Sequence, residues 1–276
     1  MKVAVAQMSV GMEKSENLRK IDVLVAQAQR QGANLVAFPE ASMVNFGDRS
    51  DPLTDVAEPL EGPFVLSLRD LARTYHIGIV AGIFESSVDA NKVYNSLVII
   101  NDKGELKECY RKIHLYDAFG YRESDRFLAG DGSLGLFEQS GMSLGAMTCY
   151  DLRFPELARQ LAFQGAEAII LPAAWFAGPL KETHFETLLR ARAIENNIYM
   201  VSAVQVGPVN CGASMVVDPM GVVQASLSET EGVLVSELSS ERVAAVREVS
   251  PTFQNRRIDV YARWKQTRWY EEAVAE

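Results

Sequence analysis

The alternation of apolar and polar positions predicts a strand at the amino terminus, then a helix and a second strand. Residues 2–7 alternate as a half-buried strand does, and residues 35–38 form a short apolar run typical of a buried strand. Between them, residues 13–31 carry apolar residues at helical spacing, namely Leu18, Ile21, Val25 and Ala28. Gly32 is expected to end this helix. The segment therefore predicts a β-α-β unit that reaches Glu40.

A second β-α-β unit follows the same order near the middle of the chain. The apolar run 142–147 predicts a buried strand that ends at Cys149. A helix is expected to begin near Pro155, because proline is tolerated in the first helical turn. This helix leads to residues 165–172, whose sequence echoes residues 32–39. The repeated order predicts two similar β-α-β halves in an α/β layered fold.

The remaining pattern completes the α/β prediction. Helices are expected over residues 63–75 and 184–196, and a short one after residue 239. Further strands are expected over residues 77–84, 93–100, 198–203, 213–217, 222–224 and 233–237. The polar, turn-rich segments 41–62 and 117–131 predict loops. The first of these either overhangs a pocket or is a plain surface connection.

Composition places the chain among ordinary soluble globular proteins. It has 276 residues, of which 48% are hydrophobic and 23% charged. This length allows one large domain or two small ones, and we favour one. The net charge of −9 and the isoelectric point of about 5.0 argue against nucleic-acid or anionic-membrane partners, which require a basic surface. They leave room for a locally basic pocket that binds a small anionic substrate.

The sequence predicts neither targeting nor metal binding. Its amino terminus lacks the apolar core and cleavage site of a secretory signal, and no apolar run approaches the ~20 residues that span a bilayer. We therefore expect a cytoplasmic protein without membrane insertion. The cysteines and histidines are scattered and form no metal-binding motif; they are Cys109, Cys149, Cys211, His76, His114 and His184. We expect no disulfide framework, no metal site and no cofactor.

Three reactive side chains are expected at strand ends. Cys149 lies at a strand-to-helix corner, close to the positive end of the helix and to unpaired backbone N–H groups. Such a position favours the thiolate and offers donors to an oxyanion, although cysteine is also often a small buried hydrophobe. Glu40 ends the strand 35–38, and Lys112 interrupts another apolar segment. A thiol, an acid and an amine at strand ends can converge on one crevice.

The residues around these positions resemble three motifs of the nitrilase (carbon–nitrogen hydrolase) superfamily. The motifs are Phe38-Pro39-Glu40, Tyr110-Arg111-Lys112-Ile113-His114 and Cys149-Tyr150-Asp151-Leu152-Arg153-Phe154-Pro155-Glu156. They occur in the family's order, and the similarity runs over nearly the whole chain. The last two are most similar to those of Nit-type amidases, which act on ω-amides of 2-oxo dicarboxylic acids and on deaminated glutathione.

The resemblance implies a fold and an assembly. It implies a four-layer α-β-β-α sandwich that forms a homodimer or a higher homo-oligomer. We expect a single carbon–nitrogen hydrolase domain over residues 1–276, with a tail from about residue 250 that contributes to the dimer contacts.

The resemblance also implies the roles of individual residues. Cys149 is the expected nucleophile and Glu40 the base. Lys112 is the expected cation that stabilises the thiolate and, with the backbone N–H of Tyr150, the oxyanion. Glu123, in segment 117–131, resembles the family's second glutamate, which would hold Lys112 and help to place the substrate.

The residues expected to bind substrate have competing interpretations. Arg153 has the planar fork that pairs with a substrate carboxylate, but an internal ion pair with Asp151 or Glu156 explains it equally well. Trp175 and Phe176 either line the pocket or pack in the core. If Arg153 binds the ligand, the substrate is the amide of a small carboxylate-bearing molecule, hydrolysed through a cysteine thioester with release of ammonia.

Three alternatives stay open at this point. Two are hydrolytic: cleavage of an N-carbamoyl amino acid and true nitrile hydrolysis. The third is a catalytically silent homologue that serves only as an assembly subunit. The presence of an acid, an amine and a thiol at all three motif positions argues against the silent subunit.

Overall fold

The computed structural model describes residues 1–47 and 51–264. The strands are β1 (Lys2–Gln7), β2 (Leu35–Ala37), β3 (Gly78–Ser86), β4 (Val93–Ile100), β5 (Leu106–Arg111), β6 (Asp117–Ala118), β7 (Tyr121–Arg122), β8 (Phe127–Leu128), β9 (Gly135–Gln139), β10 (Met142–Ala146), β11 (Ala168–Ala173), β12 (Tyr199–Val204), β13 (Val206–Gly207), β14 (Asn210–Cys211), β15 (Met215–Val217), β16 (Val223–Ser226) and β17 (Gly232–Glu237). The α-helices are α1 (Lys14–Arg30), α2 (Pro63–Tyr75), α3 (Pro155–Phe163), α4 (Lys181–Asn196), α5 (Ser240–Val249) and α6 (Ile258–Trp264). Short 3₁₀ turns lie at Leu53–Asp55, Glu123–Asp125 and Cys149–Arg153.

Two sheets with the same internal order form the centre of the molecule. One sheet has the order β17-β1-β2-β3-β4-β5, and the other has the order β9-β10-β11-β12-β15-β16. In each sheet the second, third and fourth strands of this order pair in parallel, and the remaining pairs along the order are antiparallel. The first sheet has a seventh strand, because β8 pairs in parallel with β4 beside this order. The predicted pair of similar β-α-β halves is therefore confirmed, with β1-α1-β2 corresponding to β10-α3-β11.

The layers follow from the two-residue period of the strands. In β1, Val3 and Val5 point towards the second sheet, whereas Ala4 and Ala6 point towards α1 and α2. The helices α3 and α4 pack on the outer face of the second sheet through residues such as Leu161 and Leu189. This arrangement is the predicted α-β-β-α sandwich, because each sheet buries one face against the other sheet and one face under helices.

The start of α4 differs from the sequence-based prediction. The pattern predicted a helix from His184, but α4 begins at Lys181. Leu180 adopts a left-handed conformation with a φ of 61°, and the Lys181 N–H donates to the Gly178 carbonyl at 3.0 Å. This turn adds three polar residues to the helix, which an apolar periodicity cannot detect. The earlier start brings Lys181 close to the pocket described below.

Three further predictions concern membrane insertion, the number of domains and the carboxyl-terminal tail. Within the described residues, no helix combines the length and the apolar character needed to cross a membrane. The single domain and the role of the tail from about residue 250 in dimer contacts stay predictions. The helix α6 lies in that tail, and residues 265–276 lie outside the described residues.

Candidate active site

Glu40 lies just beyond β2 and is 1% exposed. Its Oε1 accepts hydrogen bonds from Nζ of Lys112 at 3.1 Å and from Nδ2 of Asn95 at 2.8 Å. Its Oε2 accepts a hydrogen bond from the backbone N–H of Ala174 at 2.7 Å. Donors from three separate segments therefore fix the position and orientation of this buried carboxylate.

The backbone at Glu40 is held as tightly as its side chain. Nε2 of Gln205 donates to the Glu40 carbonyl at 2.8 Å, and both residues are buried. Gly82 in β3 lies directly beneath, where a Cβ atom would be 2.4 Å from the Ala41 nitrogen and 2.7 Å from the Glu40 Cα. Only glycine allows so close an approach, so β3 supports the segment that carries the carboxylate.

Lys112 follows β5 and is 2% exposed. Besides Glu40, its Nζ donates to both carboxylate oxygens of Glu123, at 3.0 and 2.8 Å. Burial lowers the pKa of Lys112, but the charges of Glu123 and Glu40 outweigh it and raise that pKa well above its ordinary value. Lys112 is therefore a permanent cation. Glu123 is held in turn by the backbone N–H of Tyr116, at 2.5 Å.

Cys149 lies at the predicted corner, between β10 and α3. Its φ of 46° is a left-handed conformation that a non-glycine residue adopts at a cost. The residue opens the 3₁₀ turn Cys149–Arg153, and α3 begins after that turn at Pro155, as predicted. The sharp turn leaves Cys149 9% exposed, in the wall of a pocket.

Asp151 ties this turn to the segment that carries Lys112. Its fully buried carboxylate accepts hydrogen bonds from the Thr148 N–H at 2.9 Å and from the Tyr110 hydroxyl at 2.7 Å. The same carboxylate contacts Nδ1 of the His114 ring at 2.7 Å. Because Tyr110 and His114 flank Lys112 in the sequence, one carboxylate sets the position of Lys112 relative to the Cys149 turn.

Two surroundings of Cys149 act against the thiolate that was expected at this corner. Burial is the largest influence on the Cys149 thiol and, with the negative charge of Glu40, raises its pKa well above the ordinary value of 9.0. Lys112 acts in the opposite direction but does not compensate. The 3₁₀ turn also separates Cys149 from the first turn of α3, where the helix dipole is strongest. These surroundings disfavour the thiolate, so a neighbouring base is needed to ionise the thiol.

Glu40, Lys112, Glu123 and Cys149 together line one narrow pocket of about 30 Å³. It adjoins a wider groove of about 600 Å³. The other residues predicted to contact substrate all lie in the pocket wall; they are Tyr150, Arg153, Trp175 and Phe176. Trp175 also packs on Phe185 in the core, with ring centroids 5.0 Å apart. It therefore both lines the pocket and packs in the core. Phe46 in the wall belongs to segment 41–62, which therefore does overhang the pocket.

Arg153 has neither of the internal ion pairs considered from the sequence. Asp151 is occupied by Tyr110, Thr148 and His114. In the described part of the chain, no salt bridge joins Arg153 to Glu156 or to any other acid. Its Nε and Nη2 atoms are buried without a hydrogen-bond partner there, and its guanidinium carbon lies 5.0 Å from the centre of the Trp175 ring. Buried unpaired donors are costly, and a carboxylate from outside would satisfy them.

Two residues of the site were missed by the sequence-based reasoning. Asn95 lies in β4 and donates to both Glu40 and Glu123, at 2.8 and 3.1 Å. Its signal was an amide side chain, next to Ser96, in a strand whose other residues are apolar or aromatic. Lys181, which lines both the pocket and the groove, gave no such signal, because the helix was predicted to begin after it.

Comparison with known proteins connects this geometry to a family. The family model described as carbon-nitrogen hydrolase matches residues 2–248. A deaminated glutathione amidase of Escherichia coli is 41% identical over 257 residues, which are 93% of this chain and 97% of that protein. The omega-amidase NIT2 of Mus musculus is 33% identical over 272 residues, covering 94% and 96% of the two chains.

A solved structure with the same fold has a modified cysteine. It is a mutant of the amidase from Nesterenkonia sp. AN1. In this structure the acetamide moiety of fluoroacetamide is covalently added to the active-site cysteine. The two structures superpose with a TM-score of 0.80 at 26% sequence identity, over 96% of each chain.

Proposed function

The chain belongs to the carbon–nitrogen hydrolase family and is an amidase, and we propose that it hydrolyses the amide of a small carboxylate-bearing substrate through a thioester on Cys149. One observation carries this proposal. Lys112 bridges the buried carboxylates of Glu40 and Glu123 in the pocket that also contains the Cys149 thiol. This cluster supplies the nucleophile, the base and the cation that attack on an amide requires.

The first half of the reaction forms the thioester. Glu40 takes the proton from the neutral Cys149 thiol while sulfur attacks the amide carbon. The ammonium of Lys112 and the backbone N–H of Tyr150 stabilise the negative oxygen of the tetrahedral intermediate. Its collapse breaks the C–N bond, and Glu40 gives its proton to the departing amine, which is ammonia if the amide is primary.

The second half regenerates the enzyme. Glu40, again a carboxylate, takes a proton from a water molecule that attacks the thioester carbon. The C–S bond breaks, the acid leaves, and the proton returns from Glu40 to the Cys149 sulfur. One water is consumed for each amide bond, so the reaction balances without any further reactant.

Glu123 acts through Lys112 in this proposal. Both of its oxygens accept hydrogen bonds from Nζ of Lys112, which orients the ammonium and keeps it protonated. Lys112 therefore serves as a fixed positive charge and leaves the proton transfers to Glu40. Asn95 donates to both carboxylates and so fixes the distance between them.

The substrate class follows from the charge of the pocket wall. Arg153 and Lys181 are cations without an acidic partner among the described residues, in a chain whose net charge is −9. A local excess of positive charge in an acidic protein supports an anionic substrate. The names of the relatives, deaminated glutathione amidase and omega-amidase, support a carboxylate-bearing amide.

The oligomeric state and the cellular location of the protein are proposed from its resemblance to the family. We expect one domain that forms a homodimer or a higher homo-oligomer, with the tail from about residue 250 in the contacts, in the cytoplasm. Light scattering on the full chain, compared with a chain that ends at residue 249, tests the role of the tail in assembly.

The experiment that tests the function is an assay on three substrate classes. Release of ammonia or amine is measured with carboxylated amides, N-carbamoyl amino acids and nitriles, each paired with a neutral analogue of equal length. The proposal predicts the highest kcat/KM for the carboxylated amides. Preference for N-carbamoyl amino acids or for nitriles would contradict the substrate class, and no turnover of any class would favour a silent assembly subunit.

A further inference from the structure

Lys181 is held at the boundary between the narrow pocket and the groove. It is the first residue of α4. Its Nζ donates to the Tyr116 hydroxyl at 3.1 Å and lies 3.6 Å from the centre of the Phe119 ring. Tyr116 is itself anchored, because its backbone N–H donates to the carboxylate of Glu123. The lysine is therefore positioned by residues that are linked to the reacting cluster.

The position of Lys181 is unfavourable for the stability of its own helix. A positive charge in the first turn of a helix opposes the helix dipole, whereas an acidic residue there is stabilising. No ion pair within residues 1–47 and 51–264 compensates for the charge of Lys181. Neither the stability of α4 nor an ion pair among the described residues therefore explains a lysine at this position.

A second cation lies close to the same aromatic ring. The guanidinium carbon of Arg153 is 6.0 Å from the centre of the Phe119 ring. Burial lowers the pKa of Lys181, and the positive charge of Arg153 lowers it further. The positive charges of Lys181 and Arg153 repel each other, and two donors of Arg153 are buried without a partner among the described residues. An anion bound between the two side chains would offset the repulsion and accept hydrogen bonds from these donors.

We propose that Lys181 is a specificity-determining residue that binds, together with Arg153, the carboxylate of the amide substrate. This inference rests on the proposed function, because it takes the pocket of Cys149 to be the substrate pocket. Arg153 provides a planar fork for two carboxylate oxygens, and Lys181 adds a point charge at the rim. Tyr116 and Phe119 set the direction of the lysine, so they determine how far from Cys149 the carboxylate lies.

The test measures a ratio of specificities. Succinamic acid carries a carboxylate, and butyramide is an uncharged amide of the same carbon number. In Lys181→Met, the ratio of their kcat/KM values should fall by about 10- to 100-fold, the loss of one charge-assisted hydrogen bond. Lys181→Arg should recover part of the ratio. The matched control is Lys107→Met, which removes a 51% exposed lysine from β5 and should leave the ratio unchanged.

A double-mutant cycle identifies the shared carboxylate. If Lys181 and Arg153 bind the same group, the effects of Lys181→Met and Arg153→Met on succinamic acid should be strongly non-additive. Additive effects, or an unchanged ratio in Lys181→Met, would overturn the inference. These outcomes can be told apart from a failure of the proposed function. If the wild-type protein hydrolyses butyramide and Cys149→Ala does not, the protein is a thiol-dependent amidase whatever the role of Lys181.

A binding measurement without turnover completes the test. Succinate is the product of the succinamic acid reaction, and its affinity for the Cys149→Ala protein can be measured by calorimetry. Lys181→Met in that background should weaken succinate binding by about 10- to 100-fold. Equal affinity of the two proteins for succinate would overturn the inference.

Discussion

The backbone N–H of Ala174 donates to Oε2 of Glu40 at 2.7 Å, and the two residues follow equivalent strands of the two halves. Glu40 lies beyond β2, and Ala174 lies immediately after β11. The pocket therefore forms where the carboxyl ends of equivalent strands from the two sheets meet. Glu40 and Lys112 come from one sheet and Cys149 from the other, so their mutual geometry depends on how the sheets pack.

Removal of the Asp151 carboxylate should destabilise the protein and disturb this geometry. Asp151→Ala leaves the Tyr110 hydroxyl and the Thr148 N–H buried without an acceptor. We expect a loss of about 2–4 kcal/mol in the free energy of unfolding, measured by urea denaturation. The matched control is Glu156→Ala in the exposed first turn of α3, which should cost less than about 1 kcal/mol. Similar losses in both variants would contradict the bridging role.

The raised pKa of Cys149 predicts how the free thiol ionises. The ultraviolet absorbance of the thiolate, taken as the difference between wild type and Cys149→Ala, should be absent at neutral pH. It should appear only above the ordinary pKa of 9.0. A thiolate signal at neutral pH would contradict the proposed role of Glu40 as the base that ionises Cys149.

The same pKa has a consequence for stability. A folded-state pKa above the unfolded value means that the folded thiol retains its proton while the unfolded thiol ionises. The contribution of Cys149 to stability is therefore fully present below pH 9.0 and is lost as the pH rises above that value. Cys149→Ala should show a smaller loss of stability over the alkaline range than wild type, measured by urea denaturation at each pH.

The sequence predicted the site residues that lie at the ends of apolar strands. Glu40 and Cys149 each follow a buried run, and the repeated order of strands and helices indicated that such ends meet. Asn95 was predictable in principle, because it and Ser96 are polar residues in the middle of a strand whose other residues are apolar or aromatic. Lys181 was not, because its helix begins in a polar turn that apolar periodicity does not detect.

The state of two predicted residues depended on contacts distant in sequence. Whether Arg153 pairs internally depends on Tyr110 and His114, which occupy Asp151 from another sheet. The protonation of Cys149 depends on burial and on Glu40, which is more than a hundred residues away in the sequence. The sequence near the strand-to-helix corner indicates the helix end and the unpaired backbone N–H groups, which favour a thiolate, but it does not show burial or the distant carboxylate.

Substitution of Arg153 separates substrate binding from structural support. Arg153→Lys should already lower kcat/KM for carboxylated amides, because an ammonium cannot replace a bidentate fork. Arg153→Ala should cost about 2–4 kcal/mol in kcat/KM on those substrates, and much less on short uncharged amides. Equal losses on both substrate sets, or a fall in melting temperature that parallels the loss of activity, would indicate a structural role.

Detection of the proposed covalent intermediate on Cys149 is the most direct test of the proposed mechanism. Wild-type protein is mixed with a slowly hydrolysed carboxylated amide, quenched in acid, and digested for peptide mass spectrometry, with Cys149→Ala as the control. We expect an acyl group on Cys149, none on Cys109 or Cys211, and a loss of kcat of at least about 1000-fold in a folded Cys149→Ala protein. An acyl group on another residue, or a tenth or more of wild-type activity in Cys149→Ala, would contradict this mechanism.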